Sequence, residues 1–264
     1  MIDYMKKFSL KGKSAYVTGG AGLIGTEVSK ALASARARVI ILDTNRKKGA
    51  GLAKEVAENG YEARYEYFNV TDIGKSAQKI RRLAEKHGLP DVWINCAYPR
   101  TKDWARPVEE LKLDSWRKNV DMHLNSYSWI SREVALLMKE AGVKGTIINF
   151  GSTYGVVGND FTVYEKTGMT SPMAYAAIKG GVINLTRYLG SYFGEYGIRT
   201  NNICPGGIFD NQNKTFVRNY EKKVPLKKMG KPEEIASVVL FLASEAASYV
   251  NGATIMVDGG WTIV

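Results

Sequence analysis

Seven short runs rich in β-branched and other apolar residues recur along the chain: Ala15–Thr18, Arg38–Asp43, Ala63–Asn69, Val92–Asn95, Thr146–Phe150, Arg199–Cys204 and Thr254–Val257. Longer stretches with helical apolar spacing separate them, and no hairpin turn joins two consecutive runs. Strands that follow one another without hairpins need crossovers, so the pattern predicts an α/β fold, a doubly wound seven-stranded parallel sheet with helices on both faces. A length of 264 residues suits one large domain, and no repeat or Pro/Gly/Ser linker marks a boundary, so residues 1–264 read as a single domain. The two longest helical stretches cover roughly residues 114–141 and 172–194, the second opened by Ser171 as N-cap and Pro172 at the first helical position. Pro232-Glu233-Glu234 opens another. Residues 155–172 and 206–231 lack strong periodicity and read as long loops or short irregular helices.

The formal charge of +11 permits a nucleic-acid, acidic-lipid or anionic small-molecule partner. The cations are scattered without a block of like charge, so a generally basic surface is the expectation rather than a nucleic-acid face. The apolar run Val238–Ala243 is far short of the ~20 residues a bilayer span requires. Neither a signal peptide nor a membrane segment is expected. Two cysteines, Cys96 and Cys204, show no disulfide framework and no metal-ligand spacing, which fits a reducing cytoplasm and no metal.

The first run leads directly into Thr18-Gly19-Gly20-Ala21-Gly22-Leu23-Ile24-Gly25, and a helical pattern follows. Glycines in that context allow a sharp turn, close approach of backbone to a pyrophosphate, and tight packing of helix on strand. The helix N-terminus then offers free N–H groups to phosphate. The second run ends in Asp43, eighteen residues beyond Gly25. A carboxylate there accepts from both ribose hydroxyls of NAD and repels a 2′-phosphate, whereas Arg46 to Lys48 just beyond keep NADP open.

Tyr175 and Lys179 lie four apart on one helix face. A phenol is a poor acid–base group at neutral pH unless its pKa falls, and an ammonium ~4 Å away at an effective dielectric of ~20 is worth about 4 kcal/mol. Lys179 is therefore expected to acidify Tyr175. Ser152 follows the fifth run, at a strand end where open α/β sheets bind ligands, and can hold a substrate oxygen. Gly180-Gly181 inside the same helix implies a close backbone approach.

These residues resemble the short-chain dehydrogenase/reductase family over essentially the whole chain. The matching elements are the Gly19–Gly25 loop, Asp43, Asn69-Val70, Asn95-Cys96-Ala97, Ser152, Tyr175, Lys179, Pro205-Gly206 and Val257-Asp258-Gly259-Gly260. The resemblance implies a Rossmann-type domain, a homotetramer or homodimer, that moves hydride between a nicotinamide and an alcohol/carbonyl pair. Tyr175 would be the acid–base, Lys179 would lower its pKa and bind the nicotinamide ribose, and Ser152 would orient the substrate oxygen. Gly19, Gly22, Leu23, Ile24, Gly25, Asp43, Asn69, Val70, Asn95 and Ala97 would hold the cofactor with Tyr175 and Lys179, and Pro205, Gly206 and Ile208 would sit against the nicotinamide. The glycine spacing is also close to the family's sugar-nucleotide branch, but too little chain follows the sixth run for a substrate domain.

Four departures stand out. Tyr98 occupies a position where glycine is common in Asn95-Cys96-Ala97-Tyr98. His123 aligns with the family's relay asparagine, and imidazole can also relay a proton. The 23-residue offset from Ser152 to Tyr175 marks an inserted loop carrying Tyr154, Asn159, Tyr164 and Lys166, expected to shape the substrate pocket. Asp210, beside Asn211, stands where threonine is usual. The stretches Asn95–Arg100, His123 and Tyr154 through Lys179 are similar to oxidoreductases of flagellin-modification and nonulosonate-sugar pathways, which implies a sugar or sugar-phosphate substrate of surface-glycan biosynthesis. Tyr98, Arg100, Tyr154 and Asn211 are the candidate substrate residues, and cations at Arg100, Lys102, Arg106 and from Lys214 to Lys223 suit an anionic substrate. The competing reading, favoured by His123 and Asp210, is a catalytically impaired nucleotide-binding regulator or a nucleic-acid-binding protein on the same fold.

Overall fold

The computed structural model describes residues 1–264. Seven strands, β1 (Ser14–Thr18), β2 (Arg38–Asp43), β3 (Ala63–Tyr67), β4 (Val92–Asn95), β5 (Thr146–Phe150), β6 (Arg199–Pro205) and β7 (Thr254–Val257), form one sheet in the order β3-β2-β1-β4-β5-β6-β7. Every pairing is parallel. The helices are α1 (Leu23–Ser34), α2 (Arg46–Glu58), α3 (Ser76–His87), α4 (Leu113–Asn119), α5 (Ser126–Glu140), α6 (Met173–Phe193), α7 (Lys214–Lys223) and α8 (Pro232–Ala243). None is long and apolar enough to cross a membrane.

The central strands are apolar without a break because both faces are covered. Alternate residues serve two cores. Val17, Ile41, Ile94 and Ile148 pack with Val28 and Leu32 of α1 and Val239 and Leu242 of α8. Tyr16, Ile40, Trp93 and Ile147 pack with Ile80 of α3, Val134 and Met138 of α5, and Leu189 of α6. Burial of this kind is worth roughly 25 cal/mol per Å² of apolar surface, which makes the register of each strand non-negotiable. The order reverses direction between β1 and β4, the switch point where such sheets open a crevice at their strand C-termini.

Three local expectations are corrected. The helix foreseen near 114–141 runs from Leu113 to Glu140 but widens into a π turn at Val120–Asn125, between α4 and α5. Ser171 does not cap α6: Pro172 is the N-cap and, having no polar side chain, supplies no side-chain bond, while the Ser171 hydroxyl accepts from the Asn159 amide of the inserted loop. The stretch 206–231 holds more than loop and irregular helix, since the regular ten-residue α7 forms there with Asn213 accepting from the N–H groups of Thr215 and Phe216. Its apolar face reduces to Phe216 and Tyr220, too sparse to read as periodic. The opening of α8 is as expected, with Pro232 in the first turn and Glu234 accepting from Lys231 N at 2.8 Å.

Beneath the strand ends lies a buried polar ladder. Asn95 donates to Ser131 Oγ and Asn149 Oδ1, both at 2.9 Å, and Asn149 donates to Thr186 Oγ1 at 3.1 Å. A buried donor left without its acceptor costs about 1–3 kcal/mol. Asn149→Ala is therefore expected to destabilise the protein by about 1–3 kcal/mol in urea unfolding, with the denaturant slope unchanged. A midpoint equal to that of the unaltered protein would contradict this account of the ladder.

Candidate active site

The crevice above β1, β4 and β5 is a cleft of about 1030 Å³, at the upper end of small-molecule sites. Its floor is the turn from β1 into α1. Gly19 adopts φ +65°, and a Cβ there would fall 2.6 Å from Ala97 Cα. A Cβ on Gly25 would fall 2.0 Å from the Gly19 carbonyl oxygen, so this helix can approach this strand only as glycine. Gly22 is the N-cap of α1 and has no side chain to bond the first turn, which leaves those N–H groups to a ligand. Gly19, Gly22, Leu23, Ile24 and Gly25 all line the cleft.

Asp43 stands at the end of β2, its carboxylate accepting from Ala21 N at 3.1 Å and Asn45 N at 2.9 Å. The glycine turn and the second strand are thus tied through this one side chain. Asn69 and Val70, after β3, line the same end of the cleft, and Ala97, Pro205, Gly206 and Ile208 line the other. These donors and this cradle fit a dinucleotide. Asn95 does not join them: its side chain is buried, committed to the polar ladder, and accepts from Trp93 Nε1 at 2.9 Å. It braces the wall below the cleft.

Tyr175 and Lys179 both reach the cleft from α6. The close backbone approach is enforced at Gly155, where a Cβ would lie 2.7 Å from the Lys179 carbonyl carbon and 2.9 Å from Gly180 N; a Cβ on Gly180 would make only ordinary contact at 3.7 Å, and one on Gly181 would press on the Leu124 side chain at 3.0 Å. Ser152 is buried behind the cleft surface, where its hydroxyl accepts from Tyr154 N at 3.2 Å and weakly opposes the effect of burial on the Tyr175 phenol. Lys179 Nζ donates to the Phe150 carbonyl at 2.6 Å and lies 3.2 Å from His123 Nε2. It sits 5.7 Å from the centre of the Tyr175 ring.

The expected acidification of Tyr175 by Lys179 is absent. Burial raises the phenol well above its usual range, and the pull of Ser152 is smaller. Burial also drops Lys179 to about 8. His123 is fully buried and held below the usual imidazole range by burial first and the neighbouring ammonium second. Neutral imidazole facing an ammonium accepts through Nε2, so its proton rests on Nδ1, which has no protein partner. The π turn carries His123 into this position, and such turns recur at functional sites.

On the substrate side the outcome is mixed. Tyr98 and Arg100 line the cleft. Tyr154 does not: its ring meets Trp261 edge-on at 6.3 Å, over a satellite core of Val163, Phe216, Tyr220 and Trp261. Asn211 is exposed at φ +55° outside the cleft, while its neighbours Asp210 and Gln212 line it. The inserted loop braces α7 rather than facing the cleft, through Tyr164 stacked on Phe216 at 5.4 Å and Asp160 paired with Lys223 at 2.7 Å. Met122, Tyr127 and Gln212 were not anticipated. Tyr127, one helical turn beyond His123, donates to the Ala97 carbonyl at 3.0 Å, and that spacing was its only signal.

Fold and cleft together define a nucleotide-binding α/β protein with a buried phenol–ammonium pair at the inner end of its site. A family model described as enoyl-(acyl carrier protein) reductase matches residues 19–262. The chain is 30% identical to a post-translational flagellin modification protein A of Campylobacter coli, over 96% of this chain and 99% of that protein. It is 32% identical to a galactitol 2-dehydrogenase of Rhizobium johnstonii, over 99% of each, and 30% identical to a 7α-hydroxysteroid dehydrogenase of Bacteroides fragilis, over 96% and 95%. Among solved structures, a short-chain dehydrogenase from Leptospira borgpetersenii with bound NAD+ superposes with a TM-score of 0.83 at 34% identity, covering 99% of this chain and 97% of that one. A gluconate 5-dehydrogenase from Burkholderia cenocepacia in complex with NADP and tartrate gives 0.89 at 28% identity, covering 99% and 100%. The chain belongs to the short-chain dehydrogenase/reductase family. Like its relatives it is an oxidoreductase.

The lowered Lys179 has a consequence for stability. Its ordinary value is 10.5, and in the folded protein it is about 8. Below pH 8 both states carry the proton and folding bears the full cost of burying the cation. Between about pH 8 and 10.5 the unfolded chain binds a proton that the folded chain does not, so stability rises with pH. Lys179→Met removes this term. The stability of the variant relative to the parent, from urea unfolding at stepped pH, should fall across that window, and a difference that stays flat would contradict it.

Proposed function

We propose that this protein transfers hydride between NAD and the alcohol or carbonyl carbon of a polyol, sugar or sugar phosphate, with residues 1–264 acting as one domain. Tyr175 and Lys179 lining one dinucleotide-sized cleft with the glycine turn and Asp43 is the observation that carries the reading. Bound NAD supplies or accepts the hydride. Ser152 holds the substrate oxygen, and Tyr175 exchanges the proton with it. A phenol kept protonated by burial is ready to donate to a carbonyl oxygen. Lys179 binds the nicotinamide ribose, and His123 holds Lys179.

Asp43 favours NAD over NADP by placing a negative charge where a 2′-phosphate would lie. Arg46 does not offset it, since its guanidinium stands over the Tyr67 ring at 4.5 Å. The sugar and polyol relatives support the substrate class, and the flagellin-modification relative supports a place in surface-glycan biosynthesis. Tyr175→Phe should lower turnover by about 10²–10⁴-fold while NADH fluorescence titration shows unchanged affinity. Normal turnover in that variant would remove Tyr175 from the mechanism.

We also assign a homodimeric or homotetrameric assembly and a cytoplasmic setting. Exposed Trp129 on α5 with Tyr188 and Tyr192 on α6 supports the first. The free thiols of Cys96 and Cys204 support the second. Light scattering should give a mass of two or four chains, and a monomer at micromolar concentration would refute the assembly.

A further inference from the structure

Resting on the hydride-transfer reading for its place in the cleft, we propose that Arg100 sets substrate specificity. It takes an anionic group, a carboxylate or a phosphate, carried by a small substrate whose alcohol or carbonyl meets Tyr175.

Four charged side chains line the cleft: Asp43, Arg100, Lys179 and Asp210. Asp43 is engaged by Ala21 and Asn45, and Lys179 by Phe150 and His123. Arg106, six residues beyond Arg100, is paired with Glu110 at 2.8 Å, whereas Arg100 forms no ion pair. It is the one cation of the cleft wall neither engaged by the protein nor assigned to the cofactor. Asp210, on the β6 side, repels an anion and so directs it to the Arg100 wall.

Arg100 is also held. Its guanidinium carbon lies 5.0 Å from the centre of the Tyr98 ring. That ring is fixed in turn: its hydroxyl accepts from Trp104 Nε1 at 2.9 Å, and it meets Tyr175 edge-on at 5.9 Å and His123 at 5.4 Å. A guanidinium resting on an aromatic face loses little hydration and keeps in-plane N–H groups for an oxyanion. A glycine at position 98 would leave this cation unsupported. The tyrosine ledge therefore gives a purpose to the first departure from the family pattern.

The spans from guanidinium to Tyr98 and from Tyr98 to Tyr175, 5.0 and 5.9 Å, together place the cation within 11 Å of the reacting phenol ring. An extended chain advances about 1.2 Å per bond, so a substrate of up to about six carbons bridges them with a hydrogen bond at each end.

The test uses the full-length protein saturated with NADH and three matched six-carbon probes: glucitol, gluconate and glucitol 6-phosphate. Calorimetric titration should show at least one anionic probe binding about tenfold or more tighter than glucitol, the return expected of a charge-assisted hydrogen bond. Arg100→Gln should erase that difference, and Arg100→Lys, which keeps the charge without the planar fork, should retain part of it. Which anion gains identifies carboxylate or phosphate. Equal behaviour of the three probes, including no binding by any, overturns the proposal, as does a preference that survives in Arg100→Gln. The complexes with NADH cannot turn over, so the same probes are also added with NAD+ in place of NADH; an anion preference without any probe-dependent rise in NADH absorbance there would leave the Arg100 assignment standing and refute the hydride-transfer reading instead.

Discussion

An ammonium almost shut off from solvent must be met by acceptors, and the 2.6 Å bond from Lys179 to the Phe150 carbonyl meets that demand at the end of β5. The bond fixes three things together. It docks α6 against the sheet, it sets the distance from the cation to the Tyr175 ring, and it calls for a second acceptor, supplied by His123 on the π turn. Gly155 and the Gly180 backbone answer the same requirement, because the helix and the loop after β5 could not close to this distance with side chains between them. The geometry of the inner site is largely the geometry of one desolvated cation.

Most of the architecture was legible because a parallel sheet covered on both faces writes each strand as an unbroken apolar run. Val39 to Leu42 and Ile147-Ile148 carry that signature, and a strand boundary moved by more than a residue or two would expose them. The nucleotide side was legible for a related reason: glycine at 19 and 25 is forced by contacts that tolerate no Cβ. The substrate side was not. Tyr154 and Asn211 lie close in sequence to Ser152 and Pro205, yet one turns to Trp261 and the other to solvent. Which way a loop residue points depends on partners far along the chain, here Trp261 and α7, and no local pattern encodes those. The same holds for Ser171, whose hydroxyl accepts from Asn159 twelve residues earlier. Asn95 was misplaced differently: its position at a strand end was right, but Asn149 and Ser131 claim its side chain from below.

The relatives act on polyols, sugar acids and steroids, by their names, over a shared sheet and nucleotide turn. In this chain two parts bear on the substrate side of the cleft. One is the wall of Tyr98, Arg100 and Trp104, which abuts the reacting phenol. The other is the inserted loop, which acts at one remove by stapling α7 through a small core of its own. A change in the first alters what touches the ligand. A change in the second alters how firmly the neighbouring wall is held. The two kinds of residue should therefore diverge under selection for a new substrate, contact residues first and bracing residues later.

The π turn between α4 and α5 amounts to a single surplus residue in an otherwise regular helix. Each residue of an α-helix advances about 100° around the axis. The wide turn absorbs that angle, so excising one residue there would restore ordinary winding with α4 and α5 still in phase and would shift only the residues of the turn itself. The imidazole would swing off Lys179 while the α5 residues facing the sheet kept their places. A one-residue gain or loss in this helix is thus a short evolutionary step between two different partners for the central ammonium, taken without rebuilding the hydrophobic interior.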